Sequence, residues 1–339
     1  MKKSIVFACL ALLVTVAVSA PVMAAAQLWC KDAVCKDVDK IKIVIPRNSA
    51  FVLNYFGGRD AGIFLKHGID LEIDARPFKG FAAGLPSKEC MVTTYPGTAA
   101  IAKINKGLDW VIIGGGLTVM QEVIVRKDSP FKTIADLRGK KFSSWSTGAG
   151  AFKATRAAIM DGFGIDVLKD TEFKQAAAPA LSKLLERGDV DSMFNISSLT
   201  VAALAQPKKF RSIFRPNDYW KKKTGNPIVW SAPIVAWRSW VDEDRDRAKR
   251  FVKATHESFK WLRIGKNLDA AVQKHGVLAA VKNKAQAEVY KKMLKEKRVF
   301  LARWDREPRD KQWQFLVMAS YHGVLGKVPS MEKTGLILE

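Results

Sequence analysis

Four clusters of small polar and aromatic residues stand out along the sequence, each directly after a predicted strand and before a predicted helix. They are RNSAFVLNY (47–55), TTYPGT (93–98), SWSTGA (144–149) and NISS (195–198). Strand carboxyl ends line the crevice of an open α/β sheet, and helix N-termini offer backbone N–H groups to anionic or polar ligands. Ser, Thr and Asn are also ordinary helix caps, so one cluster alone would be weak. Four in the same topological position predict a binding site.

Some members of the clusters suggest how a ligand would be held. Arg47 offers a positive charge, and Tyr95 and Trp145 offer flat surfaces for stacking, as does Trp230 further along the chain. The same aromatic side chains would also suit a packed core.

Residues suited to catalysis or metal binding do not form a pattern. The four histidines, His67, His256, His275 and His322, are far apart and lack the i, i+4 spacing of a helix-borne zinc site. Gly114-Gly115-Gly116 lacks the Lys-Ser/Thr of a phosphate loop, and we interpret it as a turn. No G-x-S-x-G motif is present. The sequence therefore predicts binding rather than catalysis, with no metal and no cofactor.

The elements that position the clusters alternate between strand and helix. Strands are predicted at 41–45, 69–75, 91–94, 109–113 and 122–126, each followed by helical or turn sequence, and the alternation resumes from 127. This pattern is typical of an α/β protein with mostly parallel sheets. From Asp242 the chain is almost wholly helical and is expected to pack on the first unit. We predict lobe 1 from 27–126 and 233–339 and lobe 2 from 127–232, joined by two chain crossings.

The N-terminus has the order of a secretory signal. Lys2 and Lys3 precede the apolar run 5–20, and small residues at 24–26 offer a cleavage site, so residues 1–26 are predicted to be removed. Cys30 and Cys35 are predicted to form a local disulfide in an oxidising compartment, the alternative being two free surface thiols. Cys90 is predicted to be a small buried hydrophobe. The mature protein is expected to be periplasmic and monomeric, without membrane insertion.

The net charge of +23 raises the question of nucleic acid or membrane partners. The basic residues are spread along the chain, and the densest runs, 221–223 and 282–298, lack the interleaved aromatic residues of a strand-binding platform. A solvated basic surface is the preferred interpretation, and no nucleic-acid partner is predicted.

The stretch from 41 to about 214 resembles the periplasmic substrate-binding proteins of ABC importers, in the group with nitrate-, sulfonate-, taurine- and thiamine-precursor-binding members. The resemblance lies in GRDAGIFLKHGIDLEI, PFKGFAAGL, TTYPGTAAIAKINKG, SPFKTIADLRGKKF and LLERGDVDSMFNISS. It implies a two-lobed type II binding-protein fold that closes on its solute, with an ABC permease and ATPase as partners. The binding positions that it implies are Asn48, Ser49, Asn54, Thr94, Tyr95, Thr98, Ser146, Thr147, Asn195 and Ser197.

The predicted function is capture of a small organic anion, such as a sulfonate, taurine or a carboxylate, in the cleft between the lobes. One alternative is a neutral heterocycle such as a thiamine pyrimidine precursor. Another is an enzyme on the same fold, which would require a reactive His or Cys/His cluster in the cleft. None of the four histidines lies in the polar clusters. A sensing role would use the same site with another partner.

Overall fold

The computed structural model describes residues 38–225, 229–296 and 299–338. The strands are β1 (Asp39–Pro46), β2 (Ile69–Arg76), β3 (Val92–Thr94), β4 (Trp110–Thr118), β5 (Val123–Arg126), β6 (Lys141–Ser144), β7 (Glu172–Gln175), β8 (Ser192–Phe194), β9 (Phe210–Phe214) and β10 (Trp230–Trp237). The helices are α1 (Ala50–Asp60), α2 (Ile63–Lys66), α3 (Phe78–Gly84), α4 (Gly97–Asn105), α5 (Gly150–Phe163), α6 (Ala178–Arg187), α7 (Ser197–Leu204), α8 (Pro216–Thr224), α9 (Arg238–Glu243), α10 (Arg245–Leu262), α11 (Gly265–Ala279), α12 (Lys284–Lys295), α13 (Arg306–Tyr321) and α14 (Met331–Thr334), with a 3₁₀ turn at Ala135–Leu137.

Lobe 1 is built on β1–β4 and β10. Strands β1 and β2 pair in parallel, and β10 lies between β3 and β4, antiparallel to both. The Thr93 hydroxyl donates to the Val44 carbonyl at 2.7 Å and so links β3 to β1. The apolar side chains of β1 and β4 are buried between helices on both faces, which is why these strands are nearly continuous apolar runs.

Lobe 2 is built on β5–β9 with helices α5–α8. The strand order is β7-β6-β8-β5-β9, with β6 parallel to β7 and β8, and β5 antiparallel to β8 and β9. The predicted α/β class is therefore confirmed. In each lobe one strand runs antiparallel to its neighbours, and this strand lies next to the segment in which the chain passes between the lobes. It is β10 in lobe 1 and β5 in lobe 2.

From the strand pairing we propose lobe boundaries a few residues earlier than the predicted ones. Strand β5 pairs with β8 and β9, so the first crossing precedes residue 123 rather than following 126. Strand β10 pairs with β3 and β4 from its first residues, so the second crossing precedes 230 rather than following 232. An apolar strand has the same pattern in either sheet, and only its pairing partners place it.

The three glycines 114–116 do not form the predicted turn. They lie in the middle of β4, where all residues are buried. A Cβ atom on Gly116 would lie 2.1 Å from the Ala232 carbonyl oxygen, and one on Gly115 would lie 2.6 Å from that of Leu301. Gly115 and Gly116 are required because the backbone of Leu301 and Ala232 approaches β4 closely at these positions, a known use of glycine within strands.

Helix α13 packs on both lobes, although the whole C-terminal region was predicted to pack on lobe 1. Leu316 and Trp313 belong to a lobe 1 cluster, whereas Phe315 and Ala319 belong to the core of lobe 2. The Phe315 ring meets that of Trp220 edge-on, with centroids 5.1 Å apart. The helix therefore spans the boundary between the lobes.

Two predictions cannot be compared with the fold. The signal peptide (1–26) and the Cys30–Cys35 pair lie outside the described residues. Within those residues, no helix combines the length and the apolar character needed to cross a membrane.

Candidate functional site

The four polar clusters lie at the starts of α1, α4, α5 and α7, but these helices begin differently. The Ser49 hydroxyl caps α1 by accepting from the Phe51 amide at 3.3 Å. Helices α4, α5 and α7 begin after Pro96, Ala149 and Ile196 and have no side-chain cap. None of the three has an acidic residue in its first turn. Their first N–H groups and the positive ends of their dipoles therefore suit an anion.

Two of these helix starts meet across the lobe boundary. A Cβ atom on Gly150, the first residue of α5, would lie 3.0 Å from the Thr98 hydroxyl oxygen of α4 and 3.8 Å from the Pro96 Cβ. The Ser231 carbonyl of β10 lies 3.8 Å from the same point. The start of α5 in lobe 2 thus faces the start of α4 in lobe 1.

Helix α7, which carries the third uncapped start, also lies at the boundary. Helix α7 of lobe 2 contacts α12 of lobe 1. Val201 of α7 is buried in the main apolar cluster of lobe 1. The lobes are therefore in contact along α4, α7 and α12, and the arrangement is closed.

The space between the closed lobes is small. A cavity of about 10 Å³ lies between α4, α5 and α13, lined by Gly97, Thr98, Ala154, Gln312, Phe315, Leu316, Ala319 and Leu325. Such a volume holds about one water molecule. An organic solute would reach the helix starts only if the lobes separated.

Two of the predicted binding residues are engaged within their own lobes. The Tyr95 hydroxyl donates to the Ala82 carbonyl at 2.9 Å, and its ring packs against Trp110 with centroids 5.1 Å apart. The Asn195 amide donates to the Ala178 carbonyl at 3.0 Å, and its oxygen accepts from the Ile196 amide. Both side chains hold a neighbouring helix in place.

Asn54 and Thr94 lie inside lobe 1. Both side chains are fully buried. The Asn54 oxygen accepts from the Ser258 hydroxyl at 2.9 Å, while its amide nitrogen has no partner. The Thr94 hydroxyl lies beside the Tyr55 hydroxyl, but the two groups are not aligned for a hydrogen bond. These two residues reach α1 and α10 rather than the start of α4.

Arg47 and Asn48 are exposed at the end of β1. The Arg47 guanidinium donates to the Ala75 carbonyl at 2.9 Å, and Asn48 adopts a left-handed backbone conformation with φ of 56°. The backbone N–H of Asn48 donates to the Leu278 carbonyl at 2.9 Å. These residues join the ends of β1 and β2 to α11.

The remaining predicted residues lie close to the helix starts. Ser146 and Thr147 form the loop before α5, where the Ser146 hydroxyl accepts from the Gly148 amide at 3.2 Å. Thr98 and Ser197 are buried in the first turns of α4 and α7. Trp145 is half-buried and stacks on Phe194. The Trp230 backbone pairs with Thr118 in β10, and its side chain lies outside the described part.

Sequence reasoning missed two buried amides beside the crossings. Gln121 lies between β4 and β5, is 6% exposed, and its side-chain oxygen has no partner. Asn217, on the first turn of α8, is 3% exposed and bonds to both crossings. Neither follows a predicted strand and precedes a helix in the way that identified the four clusters.

In the described part of the chain, the four histidines and Cys90 make their contacts elsewhere in the fold. Burial lowers the pKa of His256 to about 4 and raises the pKa of the Cys90 thiol to about 11, so both are uncharged near neutral pH. Cys90 is also buried, as predicted. The other histidines contact carboxylates within 3.4 Å: His67 contacts Glu257, His275 contacts Asp60 and His322 contacts Asp161. In the described ranges, no three His, Cys, Asp or Glu residues form a group able to hold a metal ion.

A larger groove of about 860 Å³ lies on lobe 2, away from the helix starts. The end of α5, strand β9 and helix α8 form its walls. Its charged lining is largely paired internally, since Lys223 and Tyr219 both contact the Asp161 carboxylate. The start of α8 also lines this groove, but Asp218 lies in its first turn, whereas the first turns of α4, α5 and α7 hold no acidic residue. The interlobe region is therefore the better candidate for an anion.

Comparison with known proteins gives one family and many similar structures. The sequence profile described as NMT1/THI5 like matches residues 51–263. No curated protein matches the chain. A protein from Bordetella bronchiseptica RB50 is 17% identical with a TM-score of 0.65, over 88% of this chain and 94% of that one. The periplasmic aliphatic sulphonate binding protein from Escherichia coli is 14% identical with a TM-score of 0.68, over 88% and 94%.

The fold also occurs in an enzyme. The desulfurization enzyme DSZB is 14% identical to this chain, with a TM-score of 0.60 over 88% of this chain and 96% of that one. These similarities place the chain in the two-lobed fold of periplasmic binding proteins.

Proposed function

The chain belongs to the NMT1/THI5-like family, and we propose that it captures a small organic anion between its lobes and delivers it to an ABC permease and ATPase. In this proposal the protein acts in the periplasm as an exported binding protein and not as an enzyme. The observation that carries the proposal is that three helices with uncapped N-termini lie at the lobe boundary, and that two of these N-termini, those of α4 and α5, face each other at Thr98 and Gly150.

An anion is favoured by the charges around these helix starts. No acidic side chain occupies the first turn of α4, α5 or α7, so nothing in these turns opposes a negative ligand. Hydroxyls of Thr98, Thr147 and Ser197 lie in or just before these turns and supply further donors. A sulfonate has three acceptor oxygens and suits such a set. The sulphonate-binding protein of Escherichia coli, which has a similar fold, supports this choice.

The alternative ligand, a neutral heterocycle, would need flat surfaces for stacking. Tyr95 packs in the core of lobe 1, and the Trp145 ring lies on Phe194 with centroids 5.6 Å apart and planes at 17°. Both rings already stack or pack against protein side chains. The evidence for a heterocycle is therefore weaker than the evidence that the helix starts give for an anion.

The enzymatic alternative draws support from the fold that the chain shares with DSZB. An acid–base or nucleophilic mechanism requires a titratable group within reach of the substrate. The only described cysteine is buried, and the described histidines lie elsewhere. We therefore rank this alternative below binding.

Thermal unfolding in the presence of a ligand panel tests the proposal. A solute at about 100 times its Kd stabilises the folded state by about 2.7 kcal/mol, which for a protein of this size raises the Tm by about 5 °C. We expect ethanesulfonate, taurine or MOPS to produce such a rise, while sodium chloride at the same ionic strength does not. Stabilisation only by neutral pyrimidines would contradict the anion and support the heterocycle.

A further inference from the structure

The two chain crossings are joined by a closed ring of hydrogen bonds through one side chain, Asn217. The Val119 amide of the first crossing donates to the Val229 carbonyl of the second at 2.7 Å. The Val229 amide in turn donates to the Asn217 side-chain oxygen at 2.9 Å. The Asn217 side-chain nitrogen completes the ring by donating to the Val119 carbonyl at 3.0 Å.

The backbone partners fix the orientation of this amide. The Val229 N–H requires an acceptor and the Val119 carbonyl requires a donor, and the oxygen and the nitrogen of the Asn217 carboxamide satisfy both at once. Asn217 is buried, as are both valines. A buried polar group without a partner costs free energy. The Val229 N–H, the Val119 carbonyl and the Asn217 carboxamide are therefore all more stable with the ring formed.

The ring joins lobe 2 to the point at which both strands leave lobe 1. Asn217 belongs to α8 of lobe 2, Val119 directly follows β4, and Val229 directly precedes β10. A second contact reinforces the same place, because Arg215 at the start of α8 pairs at 2.9 Å with the buried Glu122 of the first crossing. Helix α8 thus holds both crossings against lobe 2.

We propose that Asn217 is a positioning residue that sets the balance between the open and closed lobes. The inference rests on the proposed function, because it assumes that solute is captured by closure. With the ring intact, the crossings move with lobe 2 and bending is confined to residues on the lobe 1 side. Without it, the crossings acquire extra freedom, the closed form is less populated, and a solute that never touches Asn217 binds more weakly.

Two substitutions separate the two halves of the ring. Asn217→Asp keeps an oxygen for the Val229 N–H but places a second oxygen against the Val119 carbonyl, so only the bond to the first crossing is lost. Asn217→Ala removes both bonds. Asn267→Ala is the matched control, since the Asn267 amide also donates to a backbone carbonyl, that of Trp261 at 2.9 Å, but lies within lobe 1.

Small-angle X-ray scattering of the ligand-free proteins is the first measurement. We expect a larger radius of gyration for both Asn217 variants than for wild type and for Asn267→Ala. Titration with ethanesulfonate is the second, and we expect the apparent Kd to rise about tenfold for Asn217→Ala, as a tenfold smaller closed fraction requires. The saturated variants should return to the radius of the saturated wild type.

The outcomes distinguish this inference from the proposed function. If wild type binds none of the anions, the proposed function fails, while the scattering of the ligand-free variants still tests the ring. If both Asn217 variants lose thermal stability but match the wild-type radius and affinity, Asn217 is merely structural and the inference is wrong. Should Asn217→Ala not fold, Asn217→Asp carries the same comparison because it preserves size and one bond.

Discussion

Gly150→Asp is expected to abolish binding of organic anions while leaving the protein folded. The new carboxylate would lie at the first residue of α5, opposite the start of α4, where we place the negative group of the solute. Two like charges about 4 Å apart at an effective dielectric constant of about 20 repel by about 4 kcal/mol. We therefore expect the Kd for ethanesulfonate, measured by calorimetry, to rise at least about a hundredfold.

The thermal stability of ligand-free Gly150→Asp should not fall together with its affinity. An acidic side chain at the start of a helix interacts favourably with the dipole, by about 0.3–1 kcal/mol. Because a Cβ at this position meets the Thr98 hydroxyl at 3.0 Å in any variant, the Tm of ligand-free Gly150→Asp is best compared with that of Gly150→Asn, which it should equal or exceed. A simple loss of fold would lower the Tm and the affinity together.

Gly150→Asn is the matched control for this prediction. Its Cβ meets the same Thr98 hydroxyl at 3.0 Å, and its side chain has nearly the same size without the charge. We expect Gly150→Asn to weaken binding far less than Gly150→Asp. Equal losses in the two variants would mean that steric obstruction and not charge governs the site, which would argue against an anion.

Gly116→Ala is expected to destabilise the protein by about 3 kcal/mol or more. The added Cβ would lie 2.1 Å from the Ala232 carbonyl oxygen and 3.0 Å from the Pro233 Cα. Both are backbone atoms of β10, so no side-chain rotation relieves the clash. Relief requires β4 and β10 to separate at the centre of lobe 1, beside the second crossing. Urea unfolding followed by circular dichroism measures the loss.

Gly265→Ala supplies the comparison for the same substitution in open space. No atom lies within 4 Å of the added Cβ, and Gly265 is the first residue of α11, where Ala suits a helix better than Gly. Its stability should equal or slightly exceed that of wild type. If Gly116→Ala unfolded at the same urea concentration as Gly265→Ala, the close packing of β10 on β4 would be wrong.

Strand and helix positions could be predicted well where the pattern is local. Helix α5 and strand β6 are predicted at their observed bounds, because signals such as the glycine that ends a helix act over a few residues. The sequence does not single out β9 or α8, since FRSIF and PNDYWKKKT lack a clear period. These elements are specified by the sheet and the core on which they pack.

The sequence indicates which segments form the candidate site but not the contacts that each side chain makes. Polar residues between a strand and a helix indicate where a cleft lies, and three of the four clusters do begin uncapped helices. The partners of each side chain come from distant segments. Nothing near Tyr95 indicates that its hydroxyl meets the Ala82 carbonyl, and nothing near Asn217 indicates that it bonds to residues 98 positions earlier in the chain.

The glycine run 114–116 shows the same limitation. Three consecutive glycines are typical of a turn, because glycine has unusual backbone freedom. Here the property used is the missing side chain, which lets the backbone of residues 232 and 301 approach β4. Only the tertiary arrangement reveals which property of glycine the fold requires.

The most direct test of solute capture between the lobes is a crystal structure of the full-length mature protein with ethanesulfonate. We expect density for the sulfonate at the starts of α4, α5 and α7, with its oxygens accepting from backbone N–H groups near Thr98, Gly150 and Ser197. Density confined to the groove on lobe 2 between β9 and α8, or no density at a concentration that stabilises the protein, would contradict it.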